Sequence, residues 1–203
     1  MSPRRCVGAL LAGGAASRLG GQPKGLLHIG NERLVDRAAG ALSEAADEIL
    51  LIANVAEAVD WLPGVRVVPD AKPGFGPLSG IHAAITAAGA DVLVLAWDAP
   101  FVPGGLLRAL RDSGEVHGAA AVVPVSDSPW GFEPLCGWFS ARALPAITTQ
   151  LDTGDGRVGA LAQRTTFLTV DVASWGDPAD LFFNVNTPDD LRKAALIAAR
   201  RPR

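Results

Sequence analysis

The sequence predicts an α/β protein with a mostly parallel central sheet. Through the first half of the chain, short apolar runs alternate with segments of helical periodicity, at the spacing typical of βαβ units. Polar residues follow directly after several of these runs, at the strand ends where parallel sheets bind ligands. The chain has 203 residues, 49% hydrophobic and 19% charged, which is enough for a substantial core. We therefore expect residues 1–203 to form one domain.

The predicted elements follow in chain order. Apolar runs predict strands at 7–11, 49–52, 65–68 and 91–96, and helical periodicity predicts helices at 34–46, 55–61 and 78–88. The second half is less regular. It predicts helices at 103–110 and 141–151 and strand-like runs at 119–125, 133–139, 167–172 and 182–185. A last helix begins after Thr187, the predicted N-cap, with Pro188 as its first residue and Asp190 at its third position.

Composition excludes several classes of protein. The net charge of −3 gives no general nucleic-acid footprint, so no nucleic-acid partner is expected. No run reaches the roughly 18–20 apolar residues of a membrane span, and no signal-peptide pattern appears, so we expect a cytoplasmic protein with no membrane partner. Cys6 and Cys136 lie in apolar runs and are predicted to be buried, reduced thiols, and the three histidines lack metal-ligand spacing.

A glycine-rich loop follows the first predicted strand. It contains Gly13, Gly14, Gly20 and Gly21 and the two cations Arg18 and Lys24. Glycines allow backbone N–H groups to approach a ligand, and cations balance phosphate charge, so the loop favours phosphate binding over an ordinary strand-to-helix turn. It is neither a Walker A loop nor a GxGxxG fingerprint.

Three polar residues, Asn54, Asp70 and Asp98, end later strands. A carboxylate at the end of an apolar strand is costly to bury unless it is paired or binds a cation, and Mg²⁺ prefers oxygen ligands. Asp98 is therefore the first candidate for a metal ligand, with a helix N-cap as the alternative. For Asn54 and Asp70, turn formation is an equal alternative on the residues alone.

The segment LAGGAASRLGGQPKG resembles the signature loop of the MobA-type nucleotidyltransferases, and among them the molybdenum cofactor guanylyltransferases. WDAP resembles the family's metal-binding C-D-x-P segment, and FNVNTP its late N-x-N-T-P segment. Leu19, Pro23 and Trp97 depart from the usual residues at their positions. The resemblance implies a three-layer α/β/α Rossmann-like nucleotidyltransferase fold, with an N-terminal half that binds nucleotide and a C-terminal half that binds the acceptor.

The resemblance also implies the chemistry and the residues that carry it. The expected reaction is transfer of GMP from GTP to the terminal phosphate of molybdopterin, with release of pyrophosphate. Lys24, Asp98 and Arg18 would be catalytic, and Asp98 would hold Mg²⁺. The expected nucleotide and metal site comprises Leu11, Ala12, Gly13, Gly14, Lys24, Asn54, Asp70, Gly80, Asp98, Asn184 and Asn186. Glu133 and Arg157 resemble segments facing the pterin. Other molybdenum-cofactor biosynthesis proteins and molybdoenzyme apoproteins or chaperones would be partners.

Alternatives to this function remain open at the level of sequence. They are cytidylyl transfer to the same pterin, nucleotidyl transfer to a sugar or lipid phosphate, and a nucleotide-binding adaptor without turnover. No Ser-His-Asp set is present to support a covalent mechanism. The LAGG pattern, rather than LAAG, resembles the guanylyl branch. A full set of Lys24, Asp98 and loop glycines favours an enzyme over an adaptor.

Overall fold

The computed structural model describes residues 4–13, 18, 19 and 21–200. Over these residues the chain forms one seven-stranded sheet with helices on both faces, which confirms the predicted α/β class. The strands are β1 (Cys6–Leu11), β2 (Glu48–Ile52), β3 (Arg66–Val68), β4 (Asp91–Ala96), β5 (Ala121–Pro124), β6 (Cys136–Phe139) and β7 (Phe167–Val170). The helices are α1 (Leu34–Ser43), α2 (Pro77–Ala88), α3 (Gly104–His117), α4 (Leu144–Asp152), α5 (Val158–Leu161), α6 (Pro178–Leu181) and α7 (Pro188–Arg200).

The sheet is mostly parallel, as predicted. Its strand order is β7-β5-β6-β4-β1-β2-β3, and β6 alone runs antiparallel to its neighbours. The two central strands, β1 and β4, are buried along their whole length, because helices cover both faces of the sheet. The carboxyl ends of β1 to β5 therefore lie along one edge.

Side chains of β1 alternate between two hydrophobic cores. Cys6 and Leu10 pack with residues of α1 and α3, whereas Val7 and Ala9 pack with residues of α2 and α4. This alternation follows from the two-residue period of a strand, and it produces the predicted three-layer arrangement. The thiols of Cys6 and Cys136 are both buried and free, as predicted, and burial raises the pKa of Cys6 to about 12.

The last helix begins as the sequence predicts. The Thr187 hydroxyl accepts a hydrogen bond from the Asp190 backbone N–H at 3.1 Å. The Asp190 carboxylate in turn accepts from the N–H groups of Thr187 and Asn186, at 2.9 and 3.1 Å. This reciprocal cap satisfies N–H groups that the helix itself leaves unpaired, and it holds residues 186 and 187 in one conformation.

The structure changes several predicted boundaries. Helix α3 continues to His117, and the strand predicted at 133–139 begins only at Cys136. The strand predicted at 182–185 is wrong, because this segment is irregular. Its apolar side chain Val185 is buried against Ile29 and Leu34 in a third, smaller core, so burial there does not depend on strand pairing. Among the described residues, no helix is long and apolar enough to cross a bilayer.

Candidate active site

A cleft of about 610 Å³ opens at the carboxyl edge of the sheet. Seven of the residues that the sequence predicts for the site line it: Leu11, Ala12, Gly13, Asn54, Asp70, Gly80 and Asp98. Six of them lie at or just after the ends of β1, β2, β3 and β4, which parallel strand direction brings to one edge, and Gly80 comes from α2. The other walls come from Pro23, Trp61, Trp97, Leu135 and the loop before α2.

Lys24 is not among the residues that line this cleft, but it contacts Asp98, which is. Its Nζ donates to Asp98 Oδ2 at 2.9 Å and to Asn186 Oδ1 at 2.6 Å. Lys24 is only 4% exposed, and burial of an ammonium is costly unless oxygen atoms surround it. The predicted phosphate-binding lysine is therefore held by two oxygen acceptors, which come from distant parts of the chain.

The segment before α7 brings Asn186 to this position. The backbone N–H of Val185 donates to the carbonyl of Asp98 at 3.0 Å, so residues 98 and 185 are joined through the main chain. The helix cap of α7 fixes Asn186 one residue further along. Asn184 lies half-buried in the same segment and is not among the residues that line the cleft or hold Lys24.

Asn54 and Asp70 form a reciprocal pair on the opposite wall. The Asn54 amide donates to Asp70 Oδ2 at 2.7 Å, and Asn54 Oδ1 accepts from the backbone N–H of Asp70 at 2.9 Å. The pair joins the ends of β2 and β3. Both side chains reach the cleft, so they are available to polar groups of a ligand while holding each other in place.

Two glycines of the site serve different purposes. A Cβ at Gly80 would lie 3.1 Å from Asp70 Oδ1 and 3.2 Å from Leu11, so a side chain there would crowd the wall. A Cβ at Gly13 would meet no atom of the described residues within 4 Å, and the φ of Gly13 is not positive. Among the described residues, neither packing nor backbone conformation requires a glycine at position 13, and the predicted close approach of a ligand to Gly13 stays a prediction.

Two predicted residues cannot be placed. Gly14 lies outside the described residues. Only the backbone of Arg18 is described, pairing with Pro23 across a two-residue ladder. The Arg18 side chain is outside the described part of the chain, so its catalytic role stays a prediction.

Trp97, which stands where relatives usually have a small residue, packs beneath the site. Its ring is 1% exposed and stacks on Trp61, with centroids 4.9 Å apart. A Cβ at Gly25 would lie 2.2 Å from the Trp97 ring, so the glycine after Lys24 makes room for the indole. The Trp97–Gly25 contact therefore holds the backbone next to Lys24 against the strand end that carries Asp98. The sequence signal for this contact is a glycine directly after Lys24 together with a large aromatic residue directly before Asp98.

Glu133 is a further carboxyl group at this edge. It precedes Leu135, which lines the cleft. Burial raises the pKa of Glu133, opposed by a hydrogen bond from the Leu135 N–H, and the negative charge of Asp98 raises it further. The influence of Asp98 places Glu133 in the same electrostatic field as the site.

The oxygen donors of the site suit a hard divalent cation. Asp98 and Asn186 already converge on a positive charge, the ammonium of Lys24, and both offer the ligand type that Mg²⁺ prefers. Within the described residues, no group of three or more His, Cys, Asp or Glu side chains is arranged to hold a metal. One protein carboxylate with substrate phosphates is a common way to bind Mg²⁺, so the donor set fits such an ion.

Comparison with known proteins identifies the family of the chain. Residues 8–167 match the model of the MobA-like NTP transferase domain. A relative from Pelotomaculum thermopropionicum, described as a probable molybdenum cofactor guanylyltransferase, is 37% identical over 198 residues, 96% of this chain and 94% of that protein.

Solved structures share the fold. Molybdopterin-guanine dinucleotide biosynthesis protein A from Archaeoglobus fulgidus superimposes with a TM-score of 0.80 at 25% identity, covering 96% of this chain and 100% of the other. A Mycobacterium tuberculosis protein in complex with manganese does so with a TM-score of 0.65 at 20% identity, over 96% of this chain and 100% of the other. The family model matches most of the chain, and the relative aligns with it over nearly the full length of both proteins. This chain therefore belongs to the MobA-like NTP transferase family.

Proposed function

We propose that the protein transfers GMP from GTP to the terminal phosphate of molybdopterin and releases pyrophosphate. One observation carries the proposal. In a chain of this family, the cation of Lys24 contacts the carboxylate of Asp98, which lines a cleft together with several glycines and the Asn54–Asp70 pair. The cleft has the size of a ligand site. The similarity to a probable molybdenum cofactor guanylyltransferase and to a molybdopterin-guanine dinucleotide biosynthesis protein supports the choice of GTP and molybdopterin.

The reaction is an in-line substitution at phosphorus. A terminal phosphate oxygen of the acceptor attacks the α-phosphorus of GTP. The bond from that phosphorus to the pyrophosphate oxygen breaks, and pyrophosphate leaves with the electron pair. Little covalent work falls to the protein, so positioning and charge neutralisation supply the catalysis.

Each residue has a role in that scheme. Lys24 neutralises phosphate charge, and Asn186 together with the main chain of Val185 keeps Lys24 beside Asp98. Asn54 and Asp70 offer polar groups to the nucleoside. A Mg²⁺ ion held by Asp98 would neutralise and align the phosphate oxygens. Divalent-metal use is typical of this class of transferase, and we assign Mg²⁺ specifically.

Guanine is the base that the loop after β1 favours. Guanine presents an N1–H and a 2-amino donor beside its O6 acceptor, and main-chain groups can read these atoms only where no side chain intervenes. The open space at Gly13 is consistent with such an approach. A base that leaves buried partners unpaired loses about 1–3 kcal/mol for each of them.

The test is pyrophosphate release with purified molybdopterin and a panel of nucleotides. We expect GTP to be preferred over CTP by about 100-fold or more in kcat/KM, from two lost hydrogen bonds. Equal use, or preference for CTP, would replace guanylyl by cytidylyl transfer. Nucleotide binding without pyrophosphate release from any nucleotide would support the adaptor instead.

We place this reaction in the cytoplasm, where two free, buried thiols are stable as such. The product would then pass to other molybdenum-cofactor proteins, chaperones or molybdoenzyme apoproteins. Co-purification of the protein with the labelled dinucleotide product and a molybdoenzyme apoprotein tests this transfer.

A further inference from the structure

A close contact between two loops shapes the nucleotide side of the cleft. The first loop, residues 72–77, leads into α2 and lines the cleft with Gly74, Gly76 and Pro77. The second loop, residues 153–157, joins α4 to α5, and none of its residues lines the cleft. A Cβ at Gly156 would lie 1.3 Å from the carbonyl oxygen of Phe75, so only a glycine permits this approach.

The second loop also caps helix α2. The N-cap residue Gly76 has no side chain, and no side-chain hydrogen bond closes this helix end. Instead, the backbone N–H of Leu78 donates to the carbonyl of Gly156 at 3.1 Å. A group that helices normally satisfy with a local side chain is therefore satisfied by a residue almost 80 positions later in the chain.

Buried and charged contacts hold the second loop itself in place. Gln150 is fully buried, and its Nε2 donates to the carbonyl of Arg157 at 2.8 Å. Lys72 of the first loop pairs with Asp152 at the end of α4, with 2.6 Å between Nζ and Oδ1. This exposed pair contributes little energy, so the backbone contacts of Gly156 are the main connection between the loops.

The conformation of Gly156 does not by itself require glycine. Its φ is not positive, so an alanine could adopt the same backbone angles. The obstacle is the carbonyl of Phe75, a backbone group that cannot rotate away as a side chain can. A methyl group at position 156 must therefore displace residues 75–78, and with them part of the wall of the cleft.

We propose that Gly156 is a positioning residue for nucleotide binding. It acts through residues 72–78, which it holds at the wall of the cleft and caps at the start of α2. The binding role of that wall rests on the proposed nucleotidyltransferase function, whereas the coupling of the two loops rests on the contacts alone.

Gly159 supplies a matched control. A Cβ there would lie 2.4 Å from the ring of Trp130, so Gly159→Ala introduces a comparable clash three residues further on. That clash is with a half-exposed side chain rather than with the loop of Phe75. Gly40→Ala controls for the substitution itself, because a Cβ there meets no described atom within 4 Å outside its own helix backbone.

The first experiment is amide hydrogen exchange on the protein without ligand. In Gly156→Ala, we expect exchange in residues 72–78 to be about ten-fold faster than in the wild type, because local opening sets exchange rates. Gly159→Ala should leave exchange in residues 72–78 unchanged. The proposal is overturned if the two variants behave alike or if Gly156→Ala exchanges at the wild-type rate.

The second experiment measures GTP binding with Mg²⁺ and steady-state kinetics. We expect Gly156→Ala to raise the Kd and KM for GTP about ten-fold, with kcat within two-fold of the wild type, since small displacements of a binding wall weaken binding steeply. A general loss of structure would lower kcat and the melting temperature as well. An unchanged Kd for GTP overturns the inference.

The two proposals can fail separately. If the wild type does not bind GTP, the proposed function fails, and the ligand-free exchange still decides whether Gly156 positions the loop. If Gly156→Ala does not fold, wild-type exchange with and without GTP decides the matter. Protection of both 72–78 and 150–157 by GTP supports coupling, and protection of 72–78 alone overturns it.

Discussion

The ammonium of Lys24 lies 2.9 Å from the carboxylate of Asp98, and both side chains are largely withdrawn from water, with 5% and 16% of their surface exposed. The lysine predicted to hold phosphate and the aspartate predicted to hold metal are thus each other's partner when no ligand is present. A metal–nucleotide complex that engages both must replace this contact with two new ones.

The ion pair should appear in stability measurements as a coupled pair. Lys24→Met or Asp98→Asn alone leaves a poorly solvated charge with one partner fewer, and we expect each to lower the free energy of unfolding by about 3 kcal/mol. The double variant should lose less than the sum of the two, by about 1–3 kcal/mol. Denaturant unfolding of the four proteins measures this coupling. If the two losses of unfolding free energy simply add, the interaction between Lys24 and Asp98 contributes nothing to folding.

Lys24→Ala should slow turnover without changing the mechanism. Loss of one preorganised charge near the reacting phosphates costs about 2–4 kcal/mol of transition-state stabilisation. This corresponds to a fall in kcat/KM for GTP of about 30- to 1,000-fold. Lys193→Ala, which alters an exposed lysine on α7, is the control and should match the wild type. If Lys24→Ala also matched it, Lys24 would be a structural residue only.

The same pair predicts opposite effects on metal binding. Asp98→Asn should weaken binding of Mn²⁺, followed by electron paramagnetic resonance, and should abolish metal-dependent turnover, because an amide is a poorer ligand than a carboxylate. Lys24→Met should tighten Mn²⁺ binding about ten-fold in the absence of nucleotide, since removal of a competing cation at 2.9 Å leaves the carboxylate unpaired. Asp112→Asn, on an exposed part of α3, should change neither. Metal affinity unaffected by both site substitutions would remove Asp98 from the metal site.

Gly25→Ala tests the packing beneath Lys24. The added methyl group would overlap the Trp97 ring, and overpacking of this kind costs about 1–3 kcal/mol. We expect a lower melting temperature and a raised KM for GTP, because Trp97 lines the cleft. A second change, Trp97→Leu, should restore part of the stability of Gly25→Ala by making room for the methyl group. No restoration would mean that the strain at position 25 lies elsewhere.

Glu133 should make stability depend on pH. Its pKa in the folded protein is raised above the ordinary value of 4.5, chiefly by burial, so the folded state favours the protonated form. The corresponding stability is fully present below the unfolded-state pKa and is lost as pH rises through the folded-state pKa. Glu133→Gln cannot ionise, so its melting temperature relative to the wild type should increase from pH 4 toward pH 7. A constant difference over that range would show that Glu133 ionises as it does in the unfolded chain.

Local sequence determined the sheet and most of the cleft. Strand β1, the loop glycine Gly13 and the strand-end residues Asn54, Asp70 and Asp98 could be predicted because apolar periodicity locates strands, and parallel strands end at one edge. The cap of the last helix could also be predicted, because Thr187 and Asp190 lie within one helical turn of each other and their contact is local.

Tertiary structure alone decided the long-range partners. Asn186 reaches Lys24 across 162 positions of sequence, Gly25 accommodates Trp97, and Gly156 caps α2 from a distant loop. It also placed the apolar residues 182–185 in an irregular segment, where burial against a neighbouring core substitutes for strand pairing. Periodicity records which face of an element is buried, but which backbone or side chain fills the facing space depends on how loops pack, and that is set by contacts between residues far apart in the chain.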